Sequence, residues 1–147
     1  MPTQQSHEAQ AQHNEDLANK LLIDGQFNDW VCTTSFYSAL HFFEAFLARY
    51  PGRCKHPNAQ GPIEHSETSR PLGLNVSPHT WRENVISANF SIQVYRDYHQ
   101  LRQSSEMARY HTNAPSQNAS SHYFFTPSDV QQILNTRLQH FKAVLNY

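Results

Sequence analysis

DWVCTTSFYSALHFFEAFLARY, residues Asp29 to Tyr50, is the most apolar run in the chain, and Pro51-Gly52 closes it. The run is long enough for about six turns of helix and carries a histidine and a glutamate, His41 and Glu44, near its middle. Wound at about 100° per residue, Phe36, Ala39, Leu40, Phe42, Phe43, Phe46 and Leu47 fill an arc of about 160°, wider than the stripe of an ordinary surface helix. Such a helix is central, with neighbours on most sides. Opposite that arc, Trp30, Thr34, Tyr37, His41, Glu44 and Ala48 line up within about 80°. This stripe has no lysine, and its aromatic rings, imidazole and carboxylate are an unusual face to offer water.

Outward from this helix, the remaining patterns are helical as well. A leading helix is expected from about His7 to Ile23, with Leu17, Leu21 and Leu22 on one face and Asp24-Gly25 as its stop, after a polar tail over about residues 1–8. Phe27 before Asn28 and Asp29 suits an N-cap with a hydrophobic staple. EHSETSR, Glu64 to Arg70, reads as a short helix ended by Pro71. Ser77-Pro78 starts a helical stretch running to about Tyr110, with a break near SANFS. The region over about 111–125 is poor in apolar residues and reads as a mobile loop. Thr126-Pro127 with Asp129 opens a last helix whose stripe is Val130, Ile133, Leu134, Leu138, Phe141, Val144 and Leu145. The sum is one all-α domain over 1–147, an up-and-down bundle of four to five helices.

Composition narrows the function. With 11 Lys and Arg against 12 Asp and Glu, the net charge of −1 gives no basic excess of the kind a strongly electrostatic DNA binder shows. Ten histidines make that charge sensitive to mild acid. Two cysteines, Cys32 and Cys54, lie at opposite ends of one helix, roughly 25–30 Å apart along it, and are expected to be free thiols. No run is apolar enough for a membrane span, so a cytoplasmic protein is expected. Gly-rich phosphate loop, Cys-x-x-Cys and Gly-x-Ser-x-Gly patterns are absent from the sequence.

Three readings of the polar stripe follow. Tyr37, His41 and Glu44 can form a structural polar clasp at i, i+4 and i+7. His41 and Glu44 can instead line a pocket with residues of other helices. A metal-binding four-helix bundle would use His41 and Glu44 with a third ligand such as His65, Glu67 or His99; the usual di-metal bundles repeat Glu-x-x-His, whereas here the order is His-x-x-Glu and occurs once. No metal or other cofactor is assigned. In YRDYHQLRQSSEMARY, Tyr95 to Tyr110, Arg102, Arg109 and Tyr110 are candidates for nucleic-acid contact, with Tyr95, Tyr98 and Leu101 more simply core.

LLIDGQFNDWV, FYSALHFFEAFLA, EHSETSR and YRDYHQLRQSSEMARY, in that order over about residues 17–110, resemble the HEPN superfamily of helical bundles. The resemblance implies a homodimeric bundle with a nucleic-acid-related or defence-system role, possible RNA contact, and a partner protein such as an antitoxin or a nucleotidyltransferase-like protein. Active members are metal-independent ribonucleases of toxin–antitoxin and related systems, with Arg-x(4–6)-His at a dimer cleft, where arginine holds the phosphate and histidine moves the proton. This chain departs from that motif. Its match, Arg49 to His56, crosses Pro51-Gly52 off the end of a helix. The expectation is therefore a non-catalytic binding or scaffold protein. The alternative is an endoribonuclease with a rearranged catalytic site drawn from His41, Glu44, His65, Arg70 and Arg109.

Overall fold

The computed structural model describes residues 1–73 and 75–147, and among them the chain is all-helical. Helix α1 is Gln4–Asp24, α2 Asn28–Arg49, α3 the single turn Ser66–Ser69, α4 Pro78–Asn89 and α5 Ile92–Tyr110. A 3-10 turn, Ser121–Phe124, precedes α6, Pro127–Gln132, which runs through a π-helical stretch, Ile133–Leu138, into α7, Gln139–Val144, with helical backbone at both junctions. α2 is the axis of the bundle and packs on α1, α5 and the C-terminal helical run. Phe36, Phe43, Phe46 and Leu47 on its apolar arc are buried together with Tyr98, Leu101, Leu134, Leu138 and Phe141. The apolar arc of α2 is thus covered within one copy of the chain.

The start and stop signals act as their chemistry requires. Thr3, Ser77, Ser91 and Thr126 accept a hydrogen bond from an N–H of the first turn they cap, and Thr126 with Asp129 completes a capping box. Gly25 ends α1 in the left-handed region at φ 76°, where a Cβ would be strained.

Three expectations need correction. The stretch taken as a polar tail is helical from Gln4, and His7 is buried. The inner face of α1 is His7, Ala11, Glu15 and Ala18, whereas Leu17 is exposed. Two alanines let α1 approach α2 closely, close enough for the Ser38 hydroxyl to donate to the Ala11 carbonyl at 2.9 Å. Asn28 does not cap α2; it lies inside the helix, and Phe27 at the cap position makes no side-chain bond. The loop before α6 supplies the missing partner instead. Asn28 N–H donates to His122 Nδ1 at 2.9 Å, the Asn28 amide donates to the Phe125 carbonyl at 3.1 Å, and Ser121 donates to Asp29 at 2.8 Å. The second half of the region read as a mobile loop is therefore docked on the start of α2.

Both cysteines are free and buried, and burial pushes the Cys54 thiol up to about 11. No helix among the described residues is long and apolar enough to cross a membrane. Asn28→Ala should cost about 1–3 kcal/mol in urea denaturation, since it strands the Phe125 carbonyl in a buried position.

Candidate functional site

The polar stripe of α2 passes from solvent to interior along its length. Trp30 is exposed, Tyr37 and His41 are half-buried, and Glu44 is 4% exposed. A carboxylate at that depth needs compensation, and it receives it from two other elements. Arg82 of α4, itself 3% exposed, donates Nε–H to Glu44 Oε1 at 2.8 Å. At the start of α3, Ser66 donates its N–H to Oε2 at 3.1 Å and its hydroxyl to Oε1. Burial pushes the Glu44 carboxyl up, but Arg82 and the Ser66 donors outweigh it and hold the group below its ordinary value. Glu44 is an ionised anchor.

Three imidazoles gather beside this anchor. His65 Nδ1 lies 3.7 Å from Glu44 Oε2. His7 Nδ1 is 3.0 Å from His41 Nδ1, and the His7 ring centroid is 5.3 Å from that of His41 and 5.5 Å from that of His65. His7 and His41 are lowered from the ordinary imidazole value, chiefly by burial, with Arg82 adding to the effect and Glu44 opposing it. Two imidazoles sharing one Nδ1–Nδ1 contact are compatible when both are neutral, one donating and one accepting. A cavity of about 220 Å³ adjoins them, with His7, His41, Glu44, His65 and Arg82 in its walls and Met1 and Pro2 from the N-terminus beside them.

A second cluster lies on the same face of α2, one turn towards its N-terminus. Arg109 of α5 donates from Nη1 to the Tyr37 hydroxyl at 2.9 Å and to the Tyr110 hydroxyl at 3.1 Å. Its guanidinium sits 5.3 Å and 4.7 Å from the two ring centroids. Tyr110 is 68% exposed. His79 packs edge-on to Phe36 and meets Arg82 Nη1 at 3.3 Å; burial, then Arg82, Arg102 and Arg109, lower it to about 4.

The expected site residues are therefore divided. His41, Glu44 and His65 share one pocket. Arg109 reaches Tyr37, one turn from His41, and is not among the residues lining that pocket. Arg70 donates to the Val76 carbonyl at 2.9 Å and lines a different hollow, away from the histidines. Arg102 is held by Glu83 at 3.0 Å and Glu106 at 2.8 Å, which neutralises it as a phosphate contact. The clasp also differs in kind. Tyr37, His41 and Glu44 do not form a row along α2; each bonds outward, to α5, to α1, and to α3 and α4 respectively. Arg49 and His56 are far from any shared chemistry: Arg49 rests on Tyr50 and Tyr147, and His56 packs edge-on to Trp81.

Three members of the site escaped the sequence reading. Ser66 and Arg82 answer the demand of a buried carboxylate, a demand visible in α2, but nothing singled out Arg82 among 11 cationic residues. His7 had a usable signal, namely that Ala11 and Ala18 share its helical face and mark it as the side lying on a neighbour. Compared with family models, curated proteins and solved structures, the chain gives no match to any of them.

Two outcomes follow from the electrostatics. Arg82→Leu should destabilise the fold by about 3–5 kcal/mol in urea denaturation, because it leaves the Glu44 charge buried without its cation, and Glu44→Gln should also destabilise it by leaving Arg82 buried without its carboxylate. In a thermal series from about pH 7 to about pH 4, the melting temperature should fall steadily. His7, His41 and His79 take up protons less readily in the fold than in the unfolded chain, so the unfolded chain binds more protons once the pH drops below the ordinary 6.5. For His79 that loss continues down to about 4, and His79→Gln should flatten the slope in this window.

Proposed function

We propose that this chain is a HEPN-like helical protein with a nucleic-acid-related or defence role, and that it acts by binding single-stranded RNA rather than by cutting it. The observation that carries the reading is the Arg109 cluster. Arg109 pairs with no carboxylate among the described residues, in contrast to Arg82, Arg102 and Arg137. Its guanidinium is laid on an exposed tyrosine ring, Tyr110, and is steadied by Tyr37 and by the Ser105 hydroxyl at 3.1 Å. A cation beside an exposed aromatic face is the combination that takes a phosphate and a stacked base together. A net charge of −1 suits a contact of this local kind better than a broad electrostatic footprint. A homodimer and an antitoxin-like or nucleotidyltransferase-like partner belong to the same proposal, through the resemblance. Ile23, Phe27 and Trp30, exposed around the α1–α2 turn, are apolar surface that a second copy would bury.

One observation favours the ribonuclease reading as an alternative. Tyr37, which holds Arg109, and His41 stand on successive turns of one helix face, so an arginine and a candidate base come from different helices to neighbouring turns.

The test is fluorescence anisotropy with an end-labelled single-stranded RNA, read with and without EDTA, and followed by a denaturing gel of the same samples. Saturable binding of intact RNA is expected, weakened by about 1–3 kcal/mol in Arg109→Ala and in Tyr110→Ala. No binding by folded protein overturns the proposal. Cleavage that survives EDTA and disappears in His41→Ala replaces it with the ribonuclease reading.

A further inference from the structure

We infer that His7, Glu44 and His65 form a binding site for a first-row divalent cation of the zinc type, with His41 as the residue that orients His7. This inference rests on other residues than the RNA contact, and its test reads metal rather than RNA.

The three side chains come from α1, α2 and the residue before α3, and each offers a ligand atom within 4.8 Å of the other two. Around a tetrahedral zinc with bonds of about 2.0–2.2 Å, neighbouring ligand atoms stand roughly 3.4 Å apart. The Glu44 Oε2 to His65 Nδ1 separation of 3.7 Å is close to that span. The widest pair closes to it with movement of little more than about 1 Å, within the swing of an imidazole ring.

The strongest sign is on His7. This residue is 7% exposed, and its Nε2 is buried without any hydrogen-bond partner. A buried imidazole nitrogen left unpaired costs free energy, so its partner is what the site lacks. The other nitrogen is already engaged, since His7 Nδ1 contacts His41 Nδ1 at 3.0 Å. When His7 donates its Nδ1–H to His41, its Nε2 keeps a lone pair free for a metal. Metal-binding histidines are held in this way, with the second ring nitrogen donating to a fixed acceptor. Glu44 has the matching arrangement. Arg82 and the Ser66 hydroxyl hold Oε1, while Oε2 accepts one backbone N–H and keeps a lone pair on the His65 side.

Two nitrogens and one carboxylate oxygen select zinc, cobalt or nickel over magnesium and calcium, which take oxygen ligands. Three protein ligands beside an open cavity of about 220 Å³ leave a fourth position for water or for an oxygen of a bound molecule. Arg82 already balances the charge of Glu44, so the ion enters a site of no net charge. Three neutral imidazoles alone hold zinc in other proteins, so neutrality is tolerated, with an affinity below that of a cysteine site.

The experiment is titration of EDTA-stripped full chain with zinc chloride by calorimetry, and with cobalt chloride by visible absorption, against His7→Ala, His65→Ala, His41→Ala and His13→Ala. One ion per chain and a four-coordinate cobalt spectrum are expected. Both should be lost in His7→Ala and His65→Ala while circular dichroism shows an intact helical fold. His41→Ala should weaken binding about 10–100-fold, and His13→Ala, on the exposed side of α1, should leave it unchanged. His7→Gln serves in place of His7→Ala if the alanine variant unfolds. Absence of saturable binding by the folded wild type, or wild-type affinity in His7→Ala, His7→Gln or His65→Ala, overturns the inference.

Discussion

Glu44 is a charge placed where charge is expensive, in the middle of the most apolar helix of the molecule, and the arrangement around it follows from satisfying it. Two groups answer, the Arg82 guanidinium and the start of α3 at Ser66. Between them they tie α3 and α4 to α2 at a single point, although α3 is only one turn long and cannot hold its own position by burying a face. The histidine before that turn, His65, is thereby brought to the carboxylate. The same ion pair sets the protonation of its surroundings. Burial lowers His7 and His41 against the pull of Glu44, with Arg82 offsetting part of that pull, and at His79 Arg82 adds directly to burial.

Several cations of the bundle hold helices together. Arg102 joins α5 to α4 through Glu83, and Arg137 and His140 reach Asp97 from the C-terminal helical run. Lys142 and Gln139 meet Glu15 and so close that run onto α1. Each of these carboxylates is buried or nearly so, and each pairing trades desolvation for a specific helix register. Arg109 is held differently from these. Its partners are two phenol rings and a serine, none of which cancels its charge, and one ring faces solvent.

The face of α2 that carries Tyr37, His41 and Glu44 therefore presents two chemistries in sequence. Towards one end is an arginine–tyrosine surface; towards the other is a cluster of imidazoles around an anchored carboxylate. Their proximity is built into the helix, because residues four apart stand one above the other. The N-terminus completes the deep end, with Met1, Pro2 and His7 lying against it.

The sequence by itself determined the helices and most of their limits. Apolar spacing, Ser77-Pro78, Thr126-Pro127 and Gly25 are local signals, and each acts through atoms only a few residues away. It also determined that α2 is central, since an arc of seven apolar residues has to be covered by neighbours. The polar stripe marked His41 and Glu44 as residues out of place. What they do was decided only by the tertiary structure, because each of their partners lies on another helix. Arg82 and Glu44 are 38 positions apart, His7 and His41 34, and Arg109 and Tyr37 72. The docking of His122 on α2 spans 94. Local periodicity says which face of a helix is covered and nothing about which residue covers it. In this bundle that choice rests on alanines that let α1 approach and on a buried carboxylate that accepts one particular arginine.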